Sequence, residues 1–347
     1  MKERNINLDV IRCVAILFVI SVHFFLNNGF YDEIMVGKKM YVATVMRQCF
    51  IICVPLFIML TGYLMNRKEL SVRYFKGISK VGIIYMLCTV CIFVYKVVCL
   101  KESISFLDAV FNITSYQQYS WYIEMYIGLY LLIPFLNRLY HGLQGKKEKK
   151  QLIFVFMILT MLPSFFNTFD SSLIPVADAQ LIPEWWVGIW PLLYYYIGAY
   201  LSEYSSDIIL PLYLKFILVI GSIVLFGAYS YYRSYGMTFV WGQWCAYNGY
   251  TSAINAVLVF TFLLRLNTDH WPQIIKKILA KISDVSLPIY LVSWIFDNYA
   301  YQKLNMEVEY IRNRFGYYFI IVPFVFGCSF ALACVIDFVY KLIKNKR

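Results

Sequence analysis

Long apolar runs separated by polar connections recur along the chain. Ten of them are about 17 to 25 residues long, the length at which a helix crosses about 30 Å of hydrocarbon. The alternating pattern of a lipid-spanning β-barrel is absent, and runs of this length satisfy their backbone hydrogen bonds in lipid only as helices. We therefore predict an all-α integral membrane protein, a bundle of about ten transmembrane helices. The predicted spans are residues 8–28, 45–65, 78–100, 120–140, 151–167, 186–201, 210–232, 246–266, 282–299 and 316–342.

Composition supports a lipid environment. Of 347 residues, 61% are hydrophobic and only 15% are charged, against roughly a quarter charged in a soluble domain, and the mean hydropathy is +0.63. The net charge of +11 forms no basic face of the kind that binds nucleic acid, so we expect no nucleic-acid partner. The cysteines lie almost all within apolar runs, so we interpret them as small hydrophobic residues and predict no metal site. We expect one transmembrane domain over residues 1–347.

Positive charges are distributed unevenly between the two sets of loops. Loops that stay in the cytoplasm are enriched in Lys and Arg, and about two thirds of the 31 such residues lie on the side of the N-terminus. The remainder, among them Arg47, lie on the other side, except Arg12, which lies within the first span. Both termini are therefore predicted to be cytoplasmic, as an even number of spans requires.

The first span carries two ionisable residues, Arg12 and His23. Eleven helical residues rotate by about 1100°, or 20° beyond three turns, and rise by about 16.5 Å. The two side chains therefore share one face, with the cation near the cytoplasmic boundary and the imidazole in the outer half of the bilayer. Ionisable groups within spans normally face the bundle interior, where they mark substrate paths or satisfied pairs. An alternative is that Arg12 extends to the interface while His23 donates a hydrogen bond to a neighbouring helix.

Glu124 in the fourth span is predicted at a depth that overlaps that of His23. A carboxylate that accepts the imidazole N–H fixes the tautomer of the ring and raises its basicity, as in a general base and its orienting acid. The alternatives are that Glu124 pairs with a loop lysine or stays protonated.

The segment before the third span is dense in cations, including Arg73, Lys76 and Lys80. Such residues are expected from the enrichment of Lys and Arg in cytoplasmic loops or from attraction to anionic lipid. They could also bind the phosphates of a cytosolic nucleotide-bearing substrate. Aromatic clusters such as residues 241–250 are typical of interfacial anchors, and on the outer side their rings could also stack against sugars.

Together these motifs resemble the acyltransferase-3 family of integral-membrane acyltransferases. The first-span pattern Asp9, Arg12 and His23 is similar to the signature of that family, and further segments follow in the same order along the chain. Those segments are 55–64, 73–80, 121–134, 196–201 and 282–291. Two positions depart from the family pattern. Many members carry a histidine near the end of the ninth span, where this chain has Ser293. A histidine often precedes the fourth-span tryptophan as well, and this chain has Tyr119 or Ser120 there.

The resemblance implies transfer of an acyl group, with acetyl-CoA as the expected donor, to a hydroxyl of a cell-envelope polysaccharide or lipid-linked sugar at the cytoplasmic (cell) membrane. His23 would be the general base, oriented by Glu124. Arg12, Arg73, Lys76 and Lys80 would bind the nucleotide end of acetyl-CoA. Some relatives carry an extracytoplasmic hydrolase-like domain, and we expect this chain to act directly on its acceptor without one.

A membrane exporter of a polysaccharide or small solute is the alternative function. The sequence shows no evident inverted repeat, no pair of broken spans at the midplane and no ATP-binding motif, so we favour the acyltransferase. A non-catalytic membrane partner with the same fold is a third interpretation.

Overall fold

The computed structural model describes residues 4–114, 119, 121–166, 184–242 and 245–345 of the chain. Within these residues the fold is all-helical, and the one β-bridge, between Met35 and Tyr235, is isolated. The helices are α1 (Ile6–Asn27), α2 (Lys38–Phe50), α3 (Cys53–Met65), α4 (Val72–Val98), α5 (Phe106–Thr114), α6 (Trp121–Gly142), α7 (Gly145–Phe166), α8 (Trp190–Tyr204), α9 (Leu212–Arg233), α10 (Tyr250–Leu264), α11 (Gln273–Asp284), α12 (Ser286–Glu307), α13 (Ile311–Arg314) and α14 (Tyr318–Asn345). Short 3₁₀ turns occupy Glu184–Ile189, Ser205–Asp207 and Phe315–Tyr317.

Five helical segments among the described residues are long and apolar enough to cross a membrane. They are Ile6–Asn27, Lys38–Met65, Val72–Val98, Leu212–Arg233 and Ile311–Asn345. A sixth arises if the bent pair α11 and α12 counts as one span. These segments indicate a multi-pass membrane protein. Each of the ten predicted runs overlaps a helix, while the count of ten spans and the cytoplasmic placement of both termini stay predictions.

The ninth predicted run, residues 282–299, differs from the structure at both ends. Its first residues belong to α11, and α12 begins after a bend of 75° at Val285. Helix α12 then continues to Glu307, well beyond the predicted end. Asp297, two residues before the end of the predicted run, therefore lies in the middle of a helix.

Helix α1 lies at the centre of the bundle. It packs against α2, α3, α10, α11, α12 and α14, and the side chains that it buries include Ile11, Ile16 and Ile20. Helix α12 runs beside it in the same direction. Arg12, near the beginning of α1, contacts Ser283 just before α12 begins, and His23, in the last turns of α1, lies beside Asp297 in the middle of α12. A central helix of this kind presents its polar side chains to neighbouring helices rather than to lipid.

Helices α3 and α8 cross at two glycines. A Cβ atom on Gly62 would lie 2.0 Å from the backbone oxygen of Tyr195, and one on Gly198 would lie 1.9 Å from that of Met59. Small residues allow the backbones of membrane helices to approach closely. These glycines belong to two of the sequence motifs, 55–64 and 196–201, and their role in the structure is to set the spacing of α3 and α8.

Candidate active site

A cavity runs between α1, α3, α6 and α12. Its volume is about 1050 Å³ including the space at its mouth, and both Arg12 and His23 line it. The two residues are separated by about 16.5 Å along α1, so the cavity follows the helix for about three turns. The other lining residues are mostly apolar or aromatic and include Phe57, Leu60, Tyr122, Tyr126 and Tyr290. One continuous cavity thus joins the two polar residues of α1.

Arg12 is held at one end of the cavity by the bend between α11 and α12. Its Nη1 donates a hydrogen bond to the Ser283 hydroxyl at 2.7 Å. The nearby carboxylate of Asp9 instead pairs with Arg4, whose Nε lies 2.6 Å from Asp9 Oδ2 and whose Nη2 lies 3.0 Å from Asp284 Oδ1. The hydrogen bonds that Arg4 donates, first those to Asp9 and then those to Asp284, raise its pKa above the ordinary value. With Asp9 engaged in that way, the guanidinium of Arg12 borders the cavity.

His23 at the other end of the cavity faces a buried carboxylate from α12. Its Nδ1 lies 3.3 Å from Asp297 Oδ2, and the side chains are 12% and 3% exposed. The geometry is short of a hydrogen bond, since Nδ1 has no hydrogen-bond partner among the described residues. Catalytic hydrogen bonds are often long before substrate binds. The ring and the carboxylate therefore form a pair that a small rotation would close.

Tyr119 completes the surroundings of this pair. Its hydroxyl donates to Asp297 Oδ2 at 2.9 Å, and its ring lies 4.0 Å, centroid to centroid, from the ring of His23. Tyr290 in turn donates its hydroxyl hydrogen to the backbone oxygen of Tyr119. The aromatic rings thus hold His23 on one side while the opposite side borders the cavity. Tyr119 is one of the departures from the family pattern; the other position, Ser120, lies outside the described residues.

The structure also describes the predicted orienting acid, Glu124. It is exposed and does not line the cavity, although it lies in the first turn of α6 as expected. The carboxylate that faces His23 is that of Asp297, which lies near the end of the predicted run 282–299. The reason is the length of α12: its middle, and not its end, reaches the depth of His23.

Sequence spacing could have revealed Asp297. Ser286 and Asp297 are eleven residues apart, as are Arg12 and His23, so each pair shares one face of its helix. Ser286, Tyr290, Ser293 and Asp297 then form a stripe along α12 at steps of three and four residues, which is the pattern of a helix face turned toward the interior. Hydropathy alone does not indicate this stripe, because the predicted apolar run ends two residues after Asp297.

The cations Arg73, Lys76 and Lys80 lie in the first turns of α4 and are exposed. None of them lines the cavity, but Val81, the residue after Lys80, does. The Lys80 ammonium lies 5.9 Å from the centre of the Tyr340 ring. These three residues therefore lie on the part of α4 that precedes its cavity-lining residue, and not in the lining itself.

A groove begins where the cavity lining ends on α3. Met65 lines the cavity, and the next residue, Asn66, lines the groove. The Asn137 amide fixes the chain here, donating to the backbone oxygens of Met65 at 2.8 Å and Lys68 at 2.7 Å. The groove is about 1060 Å³ and carries more positive than negative charge. Its charged and imidazole-bearing lining residues are Arg67, Lys68, Glu69, Arg138, His141 and Glu203.

Glu203 in this groove is already paired. Its Oε2 lies 2.7 Å from the Lys149 ammonium and accepts a hydrogen bond from the Tyr140 hydroxyl at 3.2 Å. Among the described residues, no group of three or more His, Cys, Asp or Glu side chains could hold a metal ion.

The chain matches a known protein family over nearly its whole length. The family model described as an acyltransferase domain, that of the acyltransferase-3 family, matches residues 5–334. Because the match covers nearly the whole chain, the protein belongs to the acyltransferase-3 family, and the resemblance seen in its motifs is confirmed. No curated protein and no solved structure gives a significant match. Membership makes this chain a membrane acyltransferase, with an acyl donor, an acceptor and lipid contact.

Proposed function

We propose that the protein is a membrane O-acetyltransferase that moves an acetyl group from cytosolic acetyl-CoA to a hydroxyl of a cell-envelope glycan or lipid-linked sugar. The observation that carries this proposal is the single cavity lined by both Arg12 and His23. A donor that remains on one side of the membrane needs such a passage to meet an acceptor on the other. The placement at the cell membrane follows from the same proposal.

His23 is the general base in this proposal. Its Nδ1 faces Asp297, so Nε2 is the nitrogen left to accept the proton of the acceptor hydroxyl. The deprotonated oxygen attacks the thioester carbonyl, the new C–O bond forms and the C–S bond breaks. The CoA thiolate leaves and takes up the proton from His23. The carboxylate of Asp297 stabilises the imidazolium present between the two proton transfers.

The cations at the opposite end bind the phosphates of the donor. Arg12 borders the cavity there, and Arg73, Lys76 and Lys80 are exposed on α4, whose Val81 lines the cavity. The groove adds Arg67 and Lys68 from the connection between α3 and α4, close to the last cavity residue of α3. The separation of about 16.5 Å between Arg12 and His23 is comparable with the length of a pantetheine arm, so the thioester can reach His23 while the nucleotide end stays among these cations.

The experiment uses the purified protein in detergent with radiolabelled acetyl-CoA and the envelope glycan fraction of the producing cells. We expect CoA release together with label on the glycan, and loss of both in His23→Ala. His270→Ala is the matched control, because His270 is an exposed histidine outside the cavity. Folded His23→Ala protein that transfers acetyl groups at the full rate would contradict the assignment. Absence of thioester cleavage in the wild-type protein would favour the exporter instead.

A further inference from the structure

Arg47 is a fully buried cation that the acyl-transfer chemistry does not use. The charge count assigned it to a loop, but it lies in α2 with 0% of its surface exposed. Its Nε donates to the Tyr31 hydroxyl at 3.1 Å and its Nη1 to the backbone oxygen of Cys245 at 2.8 Å. Its Nη2 has no hydrogen-bond partner in the part of the chain that the structure describes.

No ion pair between described residues includes Arg47. Arginine does not lose its proton in proteins, and burial of an unpaired charge is costly. Three aromatic rings offset part of that cost by cation–π contact: the guanidinium carbon lies 4.8 Å from the centre of the Phe239 ring, 5.2 Å from Trp241 and 5.8 Å from Tyr31. A positive group whose Nη2 has no hydrogen-bond partner among the described residues is thereby kept inside an aromatic shell.

The Arg47 shell lies behind the His23 end of the cavity. Cys245, whose carbonyl accepts from Arg47, is two residues from Tyr247, which lines the cavity. The Tyr247 ring lies 5.4 Å from that of Trp121 at the beginning of α6, close in sequence to Tyr119. Arg47 is therefore near the end of the cavity where the acceptor would bind.

The cover over Arg47 is thin on one side. Trp241 stacks on Tyr31 with ring centres 4.6 Å apart, yet 57% of the Trp241 surface is exposed. The indole ring of Trp241 thus contacts the guanidinium and is also largely exposed. A rotation of that side chain would expose a cation between two aromatic faces, an arrangement suited to a sugar ring that carries a negative group.

We propose that Arg47 binds an oxyanion, a carboxylate or phosphate, carried by the acyl acceptor, and that Trp241 is the movable cover of this site. The identification of the ligand as the acyl acceptor rests on the proposed function. Arginine forms paired, charge-assisted hydrogen bonds with both kinds of oxyanion, and the free Nη2 supplies one of them. The site would select anionic glycans or phosphate-bearing lipid-linked sugars over neutral ones.

The test is a titration of tryptophan fluorescence in the purified wild-type protein, without any acyl donor. D-glucuronate and inorganic phosphate are the anionic probes, and D-glucuronamide is the matched neutral sugar. We expect a saturable signal with at least one anion and about 10- to 100-fold weaker binding of the amide. Saturation by glucuronate supports a carboxylate ligand, and saturation by phosphate alone supports a phosphate. Equal responses to glucuronate and glucuronamide, or no saturation with either anion, would overturn the proposal.

Two variants locate the signal. Arg47→Met removes the charge at similar side-chain length and is expected to abolish anion binding, while Trp241→Phe is expected to remove the fluorescence change. If Arg47→Met does not fold, the comparison of glucuronate with glucuronamide on the wild-type protein still tests the proposal. Protein that binds anions but does not transfer acetyl groups would contradict the proposed function and leave the anion site intact.

Discussion

Replacing Asp297 by Asn tests the pair at the His23 end of the cavity. The substitution keeps the shape of the side chain and its ability to accept from Tyr119, but removes the negative charge 3.3 Å from His23 Nδ1. In the proposed reaction, His23 becomes positively charged when it takes the acceptor proton. The carboxylate therefore stabilises the state in which proton transfer has occurred, and it does not touch either substrate.

The size of the effect follows from the distance. Unit charges 3.3 Å apart attract by about 5 kcal/mol at an effective dielectric constant of about 20. The side-chain oxygen of Asn retains part of this attraction, because it can still accept a neutral hydrogen bond from His23. We therefore expect kcat to fall by about 10²- to 10⁴-fold, within the range of general-base catalysis. The KM for acetyl-CoA should change by less than about threefold, because Asp297 does not line the cavity.

The assay is steady-state acetyl transfer by Asp297→Asn and Glu124→Gln proteins that elute and melt like the wild type. The account predicts that Asp297→Asn loses activity and that Glu124→Gln keeps it within about threefold, because Glu124 is exposed and does not line the cavity. The opposite ranking would refute the assignment of Asp297 and restore Glu124 as the orienting acid.

Three further predictions concern packing, donor binding and surface charge. Gly198→Ala places a Cβ 1.9 Å from the Met59 backbone oxygen and should lower the melting temperature by destabilising the fold about 3 kcal/mol. Its control Gly221→Ala, with nothing within 4 Å of the new Cβ, should be neutral in the same melts. Arg12→Gln should raise the KM for acetyl-CoA about 10-fold or more and leave the acceptor KM unchanged; the reverse pattern would contradict a donor role. The hydrogen bond from Lys146 lowers the pKa of Asp207, so its stabilisation is present above about pH 4 and is lost as the pH falls through the lowered pKa. Melting curves of wild type and Asp207→Asn should therefore differ most above about pH 4 and converge as the pH falls through the lowered pKa of Asp207.

Sequence spacing predicted the central feature of the site. The eleven-residue separation of Arg12 and His23 places them on one helix face, and both line one cavity. This inference succeeded because it involves a single helix, where rotation and rise are fixed. The family also emerged from the sequence, since its motifs are spread along the whole chain.

Contacts between helices were less predictable. The partner of His23 depended on where α12 begins and ends, and the bend at Val285 lies within an apolar run that hydropathy interprets as continuous. Arg47 shows the same difficulty, since a cation near the end of an apolar run is normally assigned to a loop. Its burial depends on aromatic residues nearly 200 positions later in the chain, and no local pattern indicates that contact.

The most direct test of the account is a density map of the protein with a non-transferable acetyl-CoA analogue. The account predicts the nucleotide among the cations at the Arg12 end and the acyl carbon near His23, with space for an acceptor oxygen at about 3 to 3.5 Å from that carbon. An analogue whose acyl group lies outside the cavity shared by Arg12 and His23 would contradict it.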